Sequence, residues 1–309
     1  MKKEQSNHLK FNSISDAHRL FGFAQPQHPL ISLISAANNP DGAHIPRGTH
    51  VLNFYKIAYK PSVSGRLRYG QQFYDFNDGG LLFAAPNQVI GNGNLESSEQ
   101  DVCSLYTLLI HPDFFMGHPL AKKIRQYGFF SYSMHETLHL SPGEKATIIS
   151  IFQMIETELN SRIDDFSQDV VISQIELLLN FANRFYKRQF ITRKAINSDL
   201  LEKLEALLDD CFSRESALKN GVPTVAYLAG ELNLSPSYLS DMLRSLTGQN
   251  AQQHIHNKLI EKAKEILSTT SLSVSEVAYS LGFEYSQSFS KLFKSKTRLS
   301  PVAFRQQFH

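Results

Sequence analysis

Apolar positions in this chain keep two different spacings, and the change from one to the other divides it. Val51-Leu-Asn-Phe-Tyr-Lys-Ile-Ala-Tyr-Lys60 alternates in the manner of a strand. Val51, Asn53, Tyr55, Ile57 and Tyr59 then share an inner face, with Lys56 and Lys60 directed outward. Phe73 to Pro86 reads as strand, glycine turn, strand, and Val102 to Ile110 as a further strand ended by His111-Pro112. Several short strands with Gly and Pro breaks predict a barrel or jelly roll. The first 45 or so residues, polar and punctuated by Pro26, Pro29 and Pro40, predict a loose arm. After Leu140 the period becomes helical. Ser141, Pro142 and Glu144 form a helix start, followed by Ile148, Phe152, Ile155 and Leu159. Val171, Ile175, Leu178, Ala182 and Phe185 make the stripe of a second helix. Lys187 to Lys194 is basic without an apolar period, which places a linker there and divides the chain into residues 1–195 and 196–309. From Leu200 onward every signal is helical.

Residues 196–309 contain the same pattern twice. Thr224 to Arg244 and Ser273 to Lys294 each hold a short amphipathic helix, a tight break and a second amphipathic helix. Leu234-Ser-Pro-Ser and Phe283-Glu-Tyr-Ser occupy the breaks, and the strongly helical run Gln252 to Leu267 joins the two. This is the helix-turn-helix unit that seats a helix in the major groove of DNA. A single such pattern is also what a plain helical corner looks like; two in tandem favour the DNA reading. In the first unit Leu239, Met242, Leu243 and Leu246 form the buried stripe, leaving Ser237, Ser240, Asp241 and Arg244 outside. In the second, Phe289, Leu292 and Phe293 are buried, leaving Ser286, Gln287, Ser290, Lys291 and Lys294. Gln pairs well with adenine, Lys with guanine, and Ser with several bases or with phosphate.

Composition narrows the alternatives. The 309 residues are 42% hydrophobic with a formal net charge of +2, enough for two cores and too neutral for a general polycation. Any nucleic-acid surface is therefore local, and the tract Lys291, Lys294, Lys296, Arg298 and Arg305, with no acid after Gln287, supplies one. Asp241 works against phosphate in the first unit. Two distant cysteines, Cys103 and Cys211, point to a reducing compartment. The start has no apolar signal region, and Val170 to Phe181 is too short and polar to span a bilayer, so the expectation is a cytoplasmic protein without a membrane partner.

At these residues the chain resembles the AraC family of bacterial transcription regulators, over roughly Leu200 to His309. The resemblance is carried by Val277-Ala-Tyr-Ser-Leu-Gly-Phe-Glu-Tyr-Ser-Gln-Ser-Phe-Ser-Lys-Leu-Phe-Lys294, by the closing Leu299-Ser-Pro-Val-Ala-Phe-Arg305, and by Gly248 at the end of the first unit. It implies base-reading positions at Ser237, Ser240, Asp241, Ser286, Gln287, Ser290 and Lys291. Three positions depart from the family pattern. Arg298 stands where a helix-capping glycine is usual, Lys258 replaces a common arginine in the linking helix, and Asp241 replaces a frequent arginine. The resemblance further implies an α+β chain: an N-terminal cupin-like β-barrel with a two-helix dimerisation element, followed by an all-α domain with two helix-turn-helix units. The implied partners are double-stranded DNA, a small-molecule effector, a second copy of the chain and RNA polymerase, and the implied role is activation. Asn53, Tyr55 and Tyr59 are the candidates to line the effector pocket. They would equally serve as ordinary barrel core, in which case the barrel only dimerises and the regulator is ligand-independent.

Two enzyme readings are weaker. His135-Glu-Thr-Leu-His139 spells the zinc-protease HExxH motif, which requires both histidines on one face of a helix. Ending at the Ser141-Pro142 helix start, the run reads instead as a last strand, with Glu136 on the opposite face from His135 and His139. A metal-dependent cupin enzyme needs a His-x-His on barrel strands. The chain's His254-Ile-His256 falls in the linking helix. No cofactor or metal is expected.

Overall fold

The computed structural model describes residues 9–35, 50–61, 67–69, 72–74, 79–90, 104–133, 136–161, 167–192 and 194–308. Its contacts divide into two units, 1–189 and 190–309.

In the first unit the strands are β1 (Leu9–Phe11), β2 (Ile31–Ser35), β3 (His50–Leu52), β4 (Tyr55–Lys60), β5 (Leu67–Tyr69), β6 (Gln72–Tyr74), β7 (Gly80–Ala84), β8 (Val89–Ile90), β9 (Tyr106–Ile110) and β10 (Leu138–His139). The helices are α1 (Ile14–Phe21), α2 (Leu120–Lys123), α3 (Pro142–Leu159) and α4 (Ser167–Thr192). A five-stranded antiparallel sheet runs β10-β7-β4-β9-β2, a three-stranded sheet β1-β3-β8, and β5 pairs with β6. Among the described residues no pairing closes these sheets into a barrel. The architecture is mixed α+β, as expected.

Cross-strand register assigns the two faces of the larger sheet, because directly paired residues point to the same side. One face carries Tyr55, Ile57 and Tyr59 with their partners Ile110, Leu108, Tyr106, Phe83 and Leu81. It packs on the helical layer. Tyr55 meets Phe115 and Phe130, Phe83 meets Tyr186 of α4, and Tyr106 stacks on Phe152 of α3 at 5.1 Å. The other face carries Lys56, Ala58, Leu109 and Ile34. Leu109 and Ile34 pack with Phe11, Ile14, Ala17, Phe21, Leu52 and Phe54 in one cluster. The middle sheet is therefore covered on both sides.

Three expectations need correction. Residues 9–35 are not a loose arm. Ser13 caps α1 by accepting from Asp16 N, Gly22 closes it at φ 73, and its apolar stripe enters the core. The alternating run from Val51 is two strands broken at Asn53-Phe54, where Asn53 N–H donates to Phe11 O and Phe54 is buried. The basic stretch from Lys187 is helical and not irregular: α4 continues to Thr192, with Phe190 buried, and α5 begins at Lys194, while the division between the two units falls inside the stretch, between Gln189 and Phe190. The helix start at Ser141 is as read, with a full capping box to Glu144.

The alternation on β4 is also as read, but Lys56 does not stand free in water. It is half-buried, and burial together with repulsion from Lys60 pushes its ammonium down from 10.5 to about 8. A depressed lysine destabilises the fold wherever the folded state must hold the proton. That penalty is full below pH 8 and fades between 8 and 10.5, where only the unfolded chain stays protonated. Lys56→Met should accordingly stabilise the N-terminal unit by roughly 2–3 kcal/mol at pH 7. Urea titrations should show that gain shrinking by pH 9; a gain independent of pH would mean that the ammonium is not the cause.

Candidate nucleic-acid interface

The second unit is helical: α5 (Lys194–Cys211), α6 (Arg214–Asn220), α7 (Val225–Glu231), α8 (Pro236–Thr247), α9 (Ala251–Thr269), α10 (Val274–Ser280), α11 (Ser286–Thr297) and α12 (Pro301–Arg305). Local chemistry explains where these helices start. Thr224, Ser235, Asn250, Ser273 and Ser300 each cap a helix by accepting from the backbone N–H three residues on. Pro236 and Pro301 fill first-turn positions that have no N–H to lose.

The two turn–helix units, α7–α8 and α10–α11, are built alike down to single hydrogen bonds. Leu234 N donates to Ala229 O at 2.8 Å, and Phe283 N to Ala278 O at 3.0 Å. The turn residue before each is left-handed, Asn233 at φ 55 and Gly282 at φ 87. Leu239 and Leu243 are buried in α8 as Phe289 and Phe293 are in α11. At the helix ends Thr247 Oγ1 donates to Leu243 O at 2.8 Å and Thr297 Oγ1 to Phe293 O at 2.8 Å. Gly248 at φ 77 and Arg298 at φ 67 then close the two helices in the same left-handed geometry. Arg298 thus preserves the turn that glycine makes in the first unit, at a steric cost of about 1–2 kcal/mol.

This superposition of repeats matches Ser237 with Gln287, Ser240 with Ser290, Asp241 with Lys291 and Arg244 with Lys294. All sit on the face away from the core: Arg244, Gln287, Lys291 and Lys294 are exposed, and Ser237, Ser240, Asp241, Ser286 and Ser290 half-buried. Their charges differ sharply. In α8 Arg244 donates to Asp241 Oδ1 at 3.1 Å, so the two largely cancel. In α11 Lys291 and Lys294 have no acidic partner among the described residues, and exposed Lys296 and Arg298 extend the basic surface. Phosphate attraction therefore concentrates on the second unit. Two details were not legible in the pattern. Tyr285 precedes α11 without a side-chain cap and is 68% exposed, so the helix presents its N-terminal dipole outward. Arg305, counted in the basic tract, turns inward instead: its Nε donates to Leu267 O at the end of α9, at 3.4 Å.

α9 holds the pair together. Its buried stripe of Ala251, Ile255, Leu259, Ile260, Ala263 and Leu267 meets α5, α8, α10 and α12. Its 19 residues span about 28 Å, somewhat less than the roughly 34 Å of one DNA turn. Lys258, the departure in this helix, pairs with Asp209 of α5 at 2.8 Å.

Of the HExxH run, Glu136 and His139 are among the described residues. His135 lies outside the described residues, Glu136 is buried with its carboxylate accepting from Ser133 N at 2.6 Å, and His139 belongs to strand β10. His254 and His256 hydrogen-bond to Thr247 and Gln252 within the helical unit. Among the described residues no group of three or more potential ligands comes together, and no helix is long and apolar enough to cross a membrane. Of the effector candidates, Tyr55 and Tyr59 share the face of β4 packed on the helical layer, and Asn53 sits apart in the break before it.

Two helix-turn-helix units on one spine, each presenting a polar helix face, define a DNA-reading domain. Residues 228–307 match the family model described as "Helix-turn-helix domain". The match lies within the second unit and runs from α7 to the end of α12. Over 265 residues the chain is 22% identical to an uncharacterized HTH-type transcriptional regulator, YfiF, of Bacillus subtilis, covering 84% of this chain and 79% of the relative. It is 24% identical over 260 residues to the HTH-type transcriptional activator RhaS of an Enterobacter species, covering 83% and 87%. It is 35% identical over 80 residues to the Msm operon regulatory protein of Streptococcus mutans, covering 26% of this chain and 29% of that one. Among solved structures, the DNA-binding domain of AdpA in complex with a target DNA is 26% identical, with a TM-score of 0.31, covering 35% of this chain and 91% of that chain.

Replacing Arg298 separates its two roles. Arg298→Gly should stabilise the helical unit by about 0.5–1 kcal/mol in thermal unfolding, because the left-handed strain is relieved. It should also weaken DNA binding and lower the slope of log affinity against log salt by about one. Unchanged salt dependence would remove Arg298 from the interface.

Proposed function

We propose that this chain is a sequence-specific transcription regulator whose C-terminal unit reads duplex DNA and whose N-terminal unit receives a small-molecule effector and pairs two copies. The observation that carries the reading is the duplicated unit with cations on α11 that have no acidic partner among the described residues. In this reading Ser286, Gln287, Ser290, Lys291 and Lys294 contact one block of bases and adjoining phosphates. Ser237, Ser240, Asp241 and Arg244 contact a second block more weakly, since the Asp241–Arg244 pair must open before either side chain reaches DNA. The relatives named as transcriptional activators support activation, which in this reading works through contact with RNA polymerase.

The facing sheets of the first unit support a cupin-like effector domain. Of Asn53, Tyr55 and Tyr59, only Asn53 retains exposure, so the two tyrosines serve as packing in this reading. The α3–α4 hairpin supports dimerisation: Met154, Val170 and Leu177 stay exposed around a shallow hollow edged by Ser173 and Gln174.

Selection from random duplex DNA with the full chain tests the reading. Two enriched blocks about one helical turn apart are expected. Gln287→Ala with Lys291→Ala should relax one block at a cost of about 1–3 kcal/mol per lost base contact. Absence of any enriched motif would refute the regulator. For the hairpin, Leu177→Glu should convert a dimer to a monomer in sedimentation equilibrium; an unchanged mass would move the interface elsewhere.

A further inference from the structure

The described strands of the first unit carry positive charge and no negative charge. None of them contains an aspartate or a glutamate, whereas Lys10, Lys56, Lys60 and Arg68 all lie on them. Lys56 and Lys60 are set together. They stand four residues apart on β4, so their side chains leave the strand on one side, with Cα atoms about 13 Å apart. Ala58 lies between them, and its cross-strand partners, Leu82 of β7 and Thr107 of β9, share that side.

That side faces the apolar cluster built by β1, α1 and β3. Leu109, the direct neighbour of Lys56 on β9, packs there with Phe11, Phe21, Leu52 and Phe54. His50 of β3 stands against the rings of Phe11 and Phe21 at 6.2 and 5.6 Å. Lys56, Lys60, Leu82 and Thr107 are all half-buried: drawn out of bulk water, yet each with surface that a ligand can reach. An ammonium drawn out of water costs free energy unless an anion pairs with it. Among the described residues neither lysine has an ion-pair partner. Lys60 instead repels Lys56, and with burial holds it at about 8. His50 offers no countercharge, since burial and Lys56 push it down to about 4 and leave it neutral. The fold thus keeps two cations side by side at a loss of stability, as a site shaped for a ligand does.

We propose that Lys56 and Lys60 form the charged end of a binding site for a small organic carboxylate. The two ammoniums donate to the two carboxylate oxygens, Thr107 Oγ1 adds a hydroxyl donor, and a short apolar body lies along Leu82. Two oxygens match two cations, and the third oxygen of a phosphate would find none. The proposal names the chemical class of the effector, and it rests on the effector reading only for the step from binding to regulation.

Hexanoate is the probe, with hexanol and hexylamine as neutral and cationic controls and inorganic phosphate as a bare anion, measured by calorimetry on the full chain. Saturable hexanoate binding is expected, at least tenfold tighter than hexanol or phosphate, with none for hexylamine. Lys56→Met and Lys60→Met should each weaken hexanoate at least tenfold. Lys56→Met should do so while raising the urea midpoint of the N-terminal unit, which separates lost binding from lost folding. An anion beside Lys56 favours its charged form. Binding should therefore take up most of a proton at about pH 9 and little at pH 7, with Lys60 and His50 the titratable neighbours acting on Lys56. Heats measured in buffers of different ionisation enthalpy read that uptake, and Lys56→Met should abolish it. No saturable hexanoate binding, unchanged affinity in Lys56→Met, phosphate bound as tightly as hexanoate, or no proton uptake at the higher pH would each overturn the site. Hexanoate binding without an enriched DNA motif would uphold the site and refute the regulator.

Discussion

A helix can bury only one stripe along its length, and in the C-terminal unit α9 spends that stripe on both halves of the domain at once. Ile255, Leu259 and Leu267 are fully enclosed because α5, α8, α10 and α12 close on them together. The spacing of the two turn–helix units is therefore set by side-chain packing along about 28 Å of one helix. A flexible joint would leave that spacing open. Arg305 belongs to the same constraint: by reaching Leu267 O it ties α12 to the last turn of α9 and is lost to the outer surface.

The faces left over follow from this burial. With Leu239 and Leu243 turned inward in one unit, and Phe289 and Phe293 in the other, the serines, Gln287 and the charged residues have only the outer side available. The repeat conserves backbone geometry far better than charge. Left-handed closure is kept at Gly248 and Arg298, while a self-neutralised pair in α8 stands opposite Lys291 and Lys294 in α11. The halves are mechanically equal and electrostatically unequal.

Features governed by a few neighbouring residues are legible in the sequence. The capped starts at Ser141, Ser235 and Ser273, and the apolar stripes of α8 and α11, require nothing beyond their own turns. Features settled by distant partners are not. Alternation on β4 identifies two faces correctly, yet it carries no sign that both are covered, so Lys56 reads as solvated. The Ser13 cap and the spacing of Ile14, Ala17 and Phe21 do spell α1, but the prolines that follow outweigh them. Phe190 gives no period to a basic stretch, and its burial depends on packing that no local pattern encodes. Arg298 stands out as a departure from the family; only its φ shows that the turn survives the substitution.

The second turn contains one further constraint. Gly282, at φ 87, lies so close to Gly221 that a Cβ there would come within 2.6 Å of the Gly221 carbonyl carbon. The end of α6 and the turn before α11 are thus two backbones in direct touch, with no side chain between them to yield. Partial opening of either one removes the wall against which the other is shaped. Fraying should then spread across this junction as a single event, making the more basic of the two repeats answer to the stability of α6.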